Sequence, residues 1–234
     1  MQCSSYKKYV IIVAGGSGRR MHAAKEKQFL PLGSSVVLLE TLKAVHESVP
    51  EARLIVVLPE GRFDLWRSLC REYSCDIEHE LVKGGSERFF SVREAVNAIE
   101  ERKDGNALVA IHDGVRPFVD KEIFDRCFEA AEASGAAVTC IDCSDSVRYE
   151  NKPLERAKVK LVQTPQCFDA ALLKRAYSQA YDPKFTDDAS LVENIGVSVS
   201  LCEGKRENIK LTTPLDFMIA KCLKDERRNS GIVP

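Results

Sequence analysis

Val10-Ile-Ile-Val-Ala-Gly-Gly-Ser-Gly-Arg-Arg-Met21, followed closely by Lys27-Gln-Phe-Leu-Pro31, joins an apolar run to a glycine turn and a cluster of cations. The run from Tyr9 to Val13 is short, β-branched and stopped by Gly15 and Gly16, the pattern of a strand buried on both faces of a parallel sheet. With no Cβ at Gly15, Gly16 and Gly18, successive N–H groups can converge on phosphate oxygens, and Arg19, Arg20, Lys25 and Lys27 bring full positive charge beside them. The stretch reads as the opening of an α/β sheet and as a site for a nucleoside triphosphate.

Spacing separates the glycine-loop chemistries that compete here. A P-loop ends in Gly-Lys-Ser/Thr, whereas Gly18 is followed by Arg-Arg-Met. A dinucleotide fingerprint asks for a small residue where Met21 stands, and for an acidic residue closing a second strand about 20 residues on. Glu40 is near that distance but lies in a stretch of helical spacing, Val37 to Val45. A plain glycine turn with a solvated basic face is the remaining alternative.

Working outward, the apolar runs Val10 to Val13, Leu54 to Leu58, Leu108 to Ile111, Ala136 to Ile141 and Val197 to Leu201 read as strands. Val36 to Val45, Arg62 to Tyr73, Ser91 to Glu101, Lys121 to Ala133 and Ala170 to Tyr181 carry helical spacing, and Thr213-Pro214 starts a last helix. Such alternation predicts a doubly wound α/β sheet with ligands beyond the carboxyl ends of its strands. One polar region, Asp142 to Gln163, breaks the pattern and reads as a β-ribbon leaving the domain, to be steadied by a partner subunit. The whole chain, 1–234, is expected to be a single domain with that excursion.

Composition narrows the partners. Lys+Arg 34 against Asp+Glu 35 gives a net charge of −1, which argues against nucleic acid or membrane surfaces as bulk partners. The run after Lys7 and Lys8 is too short for a signal peptide, and no stretch approaches the roughly 20 apolar residues of a membrane span. Nine cysteines, an odd number, suit buried thiols in a reducing compartment, so a cytoplasmic protein is expected. Cys140-x-x-Cys143 lacks the second pair a zinc site needs and is expected to serve packing.

Leu108-Val-Ala-Ile-His-Asp-Gly-Val-Arg-Pro-Phe118 places the Asp113 carboxylate at a strand's carboxyl edge, where a divalent metal such as Mg²⁺ can use it together with substrate phosphates. Arg116 offers a fork of donors to a phosphate, or else an ion pair to Asp113. His112 reads as a packed or capping histidine and not as a base. A second glycine turn, Gly84-Gly-Ser-Glu-Arg-Phe-Phe-Ser91, leads into a helix whose Arg88 and Ser91 can orient a nucleotide, although helix capping also explains Ser91. Lys210 lies in a short extended stretch before the last helix.

Taken together, these segments resemble the 2-C-methyl-D-erythritol 4-phosphate cytidylyltransferase family over nearly the whole chain. The matching segments are Ala14 to Met21, Lys27-Gln28, Gly84-Gly85 with Arg88 and Ser91, His112 to Pro117, Gln163 to Gln166, Thr186 to Ser190 and Asn208 to Thr212. The resemblance implies a Rossmann-like nucleotidyltransferase sheet with helices on both faces, a homodimer clasped by the arm at about 142–163, and Mg²⁺. It implies transfer of the cytidylyl group of CTP to a sugar-alcohol phosphate, with pyrophosphate leaving. Arg20, Lys27 and Lys210 would surround the triphosphate, and Ala14, Gly15, Gly16, Gly85, Ser91 and Gly114 would hold cytidine. Asp113 would face metal and substrate. Thr164, Thr186 and Lys210 would meet the sugar phosphate, joined across the dimer by Arg116, Ser146 and Arg156. D-ribitol 5-phosphate cytidylyltransferases share several of these motifs, though Thr186-Asp-Asp-Ala-Ser190 favours the first family, and a non-catalytic CTP-binding regulator is the reading from another class. Glu26 stands where the family usually has proline, so a carboxylate lies beside Lys27. Ser146 replaces a threonine, Ser86 an acidic residue and Val36 a proline.

Overall fold

The computed structural model describes residues 6–15, 26–101 and 106–229. Along the chain run β1 (Lys7–Val13), the hairpin strands β2 (Pro31–Leu32) and β3 (Ser35–Val36), α1 (Val37–Ser48), β4 (Arg53–Leu58), α2 (Phe63–Glu72), β5 (Glu80–Lys83), α3 (Arg88–Glu101), β6 (Ala107–Asp113), α4 (Lys121–Ser134) and β7 (Ala136–Asp142). They are followed by β8 (Arg148–Tyr149), β9 (Lys152–Pro153), β10 (Lys160–Asp169), α5 (Ala170–Tyr177), α6 (Asp188–Asn194), β11 (Ser200–Glu203) and α7 (Pro214–Asn229).

Among the described residues the main sheet has seven strands in the order β11-β7-β10-β6-β1-β4-β5. β1 pairs in parallel with β4 and β6, and its side chains alternate between two cores. Val10 and Ile12 join Leu39, Leu42, Trp66 and Phe124 on one face, while Tyr9 and Ile11 join Phe89, Val92, Leu173 and Leu191 on the other. Helices thus cover both faces, which explains why residues 9–13 of β1 and 107–111 of β6 are apolar throughout. Burial of each such side chain contributes roughly 1.5–3 kcal/mol relative to exposure.

The sheet is mixed, which the doubly wound expectation did not include. β10 runs antiparallel to both neighbours, β6 and β7, and its register shifts between Val162 and Gln166. The hairpin β2–β3, β5, α6 and the inner half of β10 had no counterpart in the runs read from the sequence. β11 begins at Ser200, three residues later than the run Val197 to Leu201 predicts. The expected ribbon is present in reduced form: β8 and β9 pair over two residues each, beyond the β7–β10 pairing that ends at Asp142 and Lys160.

From β1 the chain winds outward through β4 and β5, then returns to place β6 on the other side of β1. That reversal opens a crevice at the carboxyl ends of β1 and β6, the place where α/β sheets bind ligands. Ala14-Gly15 leaves one strand there and Asp113-Gly114 the other, joined by the Gly114 N–H donating to the Val13 carbonyl at 2.9 Å.

Candidate active site

Three glycines, Gly15, Gly85 and Gly114, border the crevice. A Cβ on Gly114 would lie 2.9 Å from Ala14 Cβ and from Leu38 Cδ1, so only glycine lets the two strand ends approach. A Cβ on Gly85 would lie 2.3 Å from Phe90 Cβ. Ser91 is buried at the centre of the second glycine turn: its Oγ accepts from Gly85 N–H at 3.1 Å and donates to the Glu87 carbonyl at 3.1 Å. A Cβ on Gly15 would come to 3.4 Å from the same Oγ. Gly15, Gly84 and Gly85 therefore converge on the Ser91 hydroxyl.

Charge gathers at Asp113. Lys210 Nζ lies 2.9 Å and Arg116 Nε 3.3 Å from Oδ2, and Arg88 Nε lies 3.8 Å from Oδ1. Burial works to raise this carboxyl, but Lys210, Arg88 and Arg116 outweigh it and hold it well below the usual carboxylate range. Arg116 is itself fixed, donating from Nη1 to the Asn208 carbonyl at 2.7 Å. The Leu211 N–H donates to the Val115 carbonyl at 2.9 Å, so the segment bearing Lys210 is laced to the turn after β6. Lys210 keeps 43% of its side chain exposed, and its ammonium group stands at the crevice wall.

His112, fully buried, forms a closed hydrogen-bond chain. The Arg116 carbonyl can only accept, so His112 Nε2 donates to it at 3.0 Å, and Nδ1 accepts from the Thr164 hydroxyl at 3.1 Å. That hydroxyl accepts in turn from the Asp113 N–H at 3.0 Å. Burial pushes the imidazole down to about 4, so it is neutral at physiological pH and packed, as its sequence context suggested.

The other expected site residues fall into distinct places. Ala14 and Gly15 end β1, Gly85 and Ser91 form the second turn, and Gly114 follows Asp113. Lys27 opens a single 3-10 turn, Lys27–Phe29, after the glycine loop. Arg20 and Gly16 lie outside the described residues. Thr164 is buried with its hydroxyl engaged in both directions, and Thr186 is exposed just before the N-cap of α6. Arg116 lies beside Asp113 of its own chain, and Ser146 and Arg156 are both exposed on the arm. Glu26 accepts from Arg62 Nε at 2.8 Å and from Gln28 Nε2 at 3.0 Å. The same Gln28 amide donates to the Ala14 carbonyl at 2.8 Å, tying the two ends of the glycine loop together.

Residues the sequence reading did not single out complete the frame. Asp188, fully buried, takes both ends of the Arg88 fork at 2.8 and 2.6 Å and accepts from the Tyr177 hydroxyl. Asn208, also fully buried, donates to the Thr164 carbonyl at 2.8 Å. Of the paired acids 187–188, Asp187 caps the helix while Asp188 turns inward.

This geometry, two glycine turns beside one ionised carboxylate ringed by cations, has close relatives. A profile of the 2-C-methyl-D-erythritol 4-phosphate cytidylyltransferase family matches residues 9–225. The chain is similar to the 2-C-methyl-D-erythritol 4-phosphate cytidylyltransferase of Bacteroides fragilis, with 48% identity over 217 residues, covering 91% of this chain and 97% of that one. The enzyme of the same description from Bacteroides thetaiotaomicron is 45% identical over 221 residues, covering 93% and 99%. Among solved structures, the 4-diphosphocytidyl-2C-methyl-D-erythritol synthase of Anaerococcus prevotii superposes with a TM-score of 0.78 at 28% identity, covering 94% of this chain and 96% of that one. A crevice at the β1/β6 reversal, its charged residues and the family match over residues 9–225 agree, and the chain belongs to the 2-C-methyl-D-erythritol 4-phosphate cytidylyltransferase family.

Proposed function

We propose that the protein transfers the cytidylyl group of CTP to 2-C-methyl-D-erythritol 4-phosphate, giving 4-diphosphocytidyl-2-C-methyl-D-erythritol and pyrophosphate, a step in isoprenoid precursor synthesis. The observation that carries this reading is the Asp113 cluster, with Lys210, Arg116 and Arg88 gathered beside the two glycine turns of a chain of this family. A phosphate oxygen of the acceptor attacks the α-phosphorus of CTP; a P–O bond forms there as the bond to pyrophosphate breaks. The attacking oxygen is already ionised, so no base is required, in keeping with a neutral, fully hydrogen-bonded His112. The difficulty is repulsion between anions, about 4 kcal/mol for unit charges 4 Å apart at an effective dielectric near 20. Lys210 offsets it from the crevice wall, and Lys27 and Arg20 are assigned to the triphosphate. Such charges accelerate the reaction to the extent that they meet the transition state better than the separate reactants.

Mg²⁺ fits this set of residues. Among the described residues no group of three or more His, Cys, Asp or Glu side chains converges, so the ion would rest on Asp113 and take its remaining oxygens from phosphates and water. When bound it neutralises phosphate charge.

A homodimer and a cytoplasmic location belong to the same reading. The arm leaves Tyr149 and Leu154 67% and 45% exposed, apolar surface that suits a partner subunit, and Ser146 and Arg156 would then serve the partner's acceptor site. The eight described cysteines are all free thiols, as a reducing compartment requires. Pyrophosphate release, followed with CTP and Mg²⁺ and either 2-C-methyl-D-erythritol 4-phosphate or D-ribitol 5-phosphate, tests the assignment. Release with the first acceptor is expected; release only with the second, or with neither, would overturn it.

A further inference from the structure

α2 ends in a cap of unusual composition. Ser74 N–H donates to the Arg71 carbonyl at 3.2 Å and Cys75 N–H to the Cys70 carbonyl at 2.8 Å, with Ser74 in left-handed conformation at φ +49°. These are the two bonds of a Schellman cap, in which the residues joined by the outer bond also bring their side chains together, most often as an apolar pair. Here both are cysteines. With the outer bond at 2.8 Å and standard bond lengths, the two Cα atoms lie no more than about 6.7 Å apart, inside the ~7 Å that a disulfide can span. The two thiols are close enough for each to shift the other's ionisation, and both are half-buried, so a small reagent can reach them.

The pair is also polarised. The neighbouring Cys70 thiol and a hydrogen bond from the Ile77 N–H push the Cys75 thiol down to about 6, whereas Cys70 is pushed up. Lys43 of α1 assists ionisation of Cys75 and Asp76 opposes it, while Arg71 acts on Cys70. One sulfur is thus a nucleophile at neutral pH, with a second in position to resolve whatever it captures.

We propose that Cys70 and Cys75 form a thiol–disulfide exchange site, at which a low-molecular-weight disulfide closes a bond between them. The Cys75 thiolate attacks one sulfur of the reagent, forming a mixed disulfide and expelling the first thiolate, which takes up a proton. Cys70 then loses its proton to solvent and attacks Cys75 Sγ; the internal bond forms and the second thiolate leaves and is protonated. Two protein thiols are oxidised and one external disulfide is reduced to two thiols. The site is independent of the cytidylyl-transfer assignment.

The test uses reduced full-length protein and oxidised glutathione. Trypsin cleaves after Arg67, Arg71 and Lys83, which leaves Cys70 and Cys75 on separate peptides joined only if the disulfide has formed. The expected product is the linked pair 68–71 with 72–83, reversed by dithiothreitol, and Cys70→Ser should instead retain one glutathione on Cys75. Cys75→Ser should slow glutathione incorporation at residue 70 by roughly 10-fold or more. The chain's single tryptophan, Trp66, lines the same surface hollow as Cys70 one helical turn away, so its emission should follow the closing in time. Wild-type protein in which both peptides stay separate and unmodified while Cys222 or Cys143 reacts would overturn the proposal. So would a stable glutathione adduct on wild-type Cys75 with no internal link.

Discussion

His112 shows how a residue beside the chemistry can matter through its silence. The unfolded chain takes up its proton near 6.5 and the folded one only near 4, so across that interval the unfolded state binds more protons and stability falls as pH falls. The loss from this one group amounts to about 3 kcal/mol by pH 4. His79, also lowered by burial, adds to it with the same sign. Urea unfolding at pH 7.5 and pH 5 should show the drop, and His112→Gln should reduce it without abolishing it. Asp188 works the other way, as a partner that cannot be removed. Asp188→Asn leaves the Arg88 fork without its buried counter-charge, and should cost roughly 3 kcal/mol of stability and lower kcat more than it changes KM for the acceptor. Asp113 and Arg116 were legible in the sequence because they directly follow an apolar run that can only be a strand. Asp188 was not. Nothing local distinguishes it from Asp187, and only the passage of α3 beside it decides which acid turns inward.

At the scale of elements, turns set the positions that the chemistry uses. Gly85→Ala should place its methyl against Phe90 and cost about 1–3 kcal/mol in denaturant unfolding, with a higher KM for CTP as the second turn shifts. The bracket of Glu26 with Arg62 and Gln28 joins the exit of the glycine loop to the turn before α2. Arg62→Glu should raise the KM for CTP with little change in melting temperature, because the Arg62 side chain is 46% exposed, and Glu26→Arg in the same chain should restore it. The loss of a proline at position 26 was legible; that its replacement takes Arg62 was not, since 36 residues separate the pair. Strands whose runs are apolar throughout, β1, β4, β6 and β7, were legible from sequence. β10 was hidden because Gln163-Thr-Pro-Gln166 places a proline and polar groups within it, and its antiparallel pairing is a tertiary choice. β5 has only four residues, with a charge at each end.

For the molecule as a whole, the arm decides whether one chain is enough. Two paired residues on each of β8 and β9 give little independent stability, and the exposed Tyr149 and Leu154 gain by being covered. Sedimentation should find a dimer, and Tyr149→Asp should shift it toward monomer with loss of activity. If Arg156 serves the partner's site, then Arg156→Ala and Lys27→Ala proteins, each nearly inactive, should recover about a quarter of wild-type turnover after mixing and subunit exchange. That the chain forms one α/β layer was legible from its alternating elements; that β10 is inserted against the direction of its neighbours was not. This insertion governs the order of assembly. A chain emerging from the ribosome finishes β6 and β7 well before residues 160–169 exist, so the edges of both strands stand open until the missing strand arrives between them. The nascent protein is therefore most exposed to mispairing with other chains at that stage, in the interval during which its arm is being made.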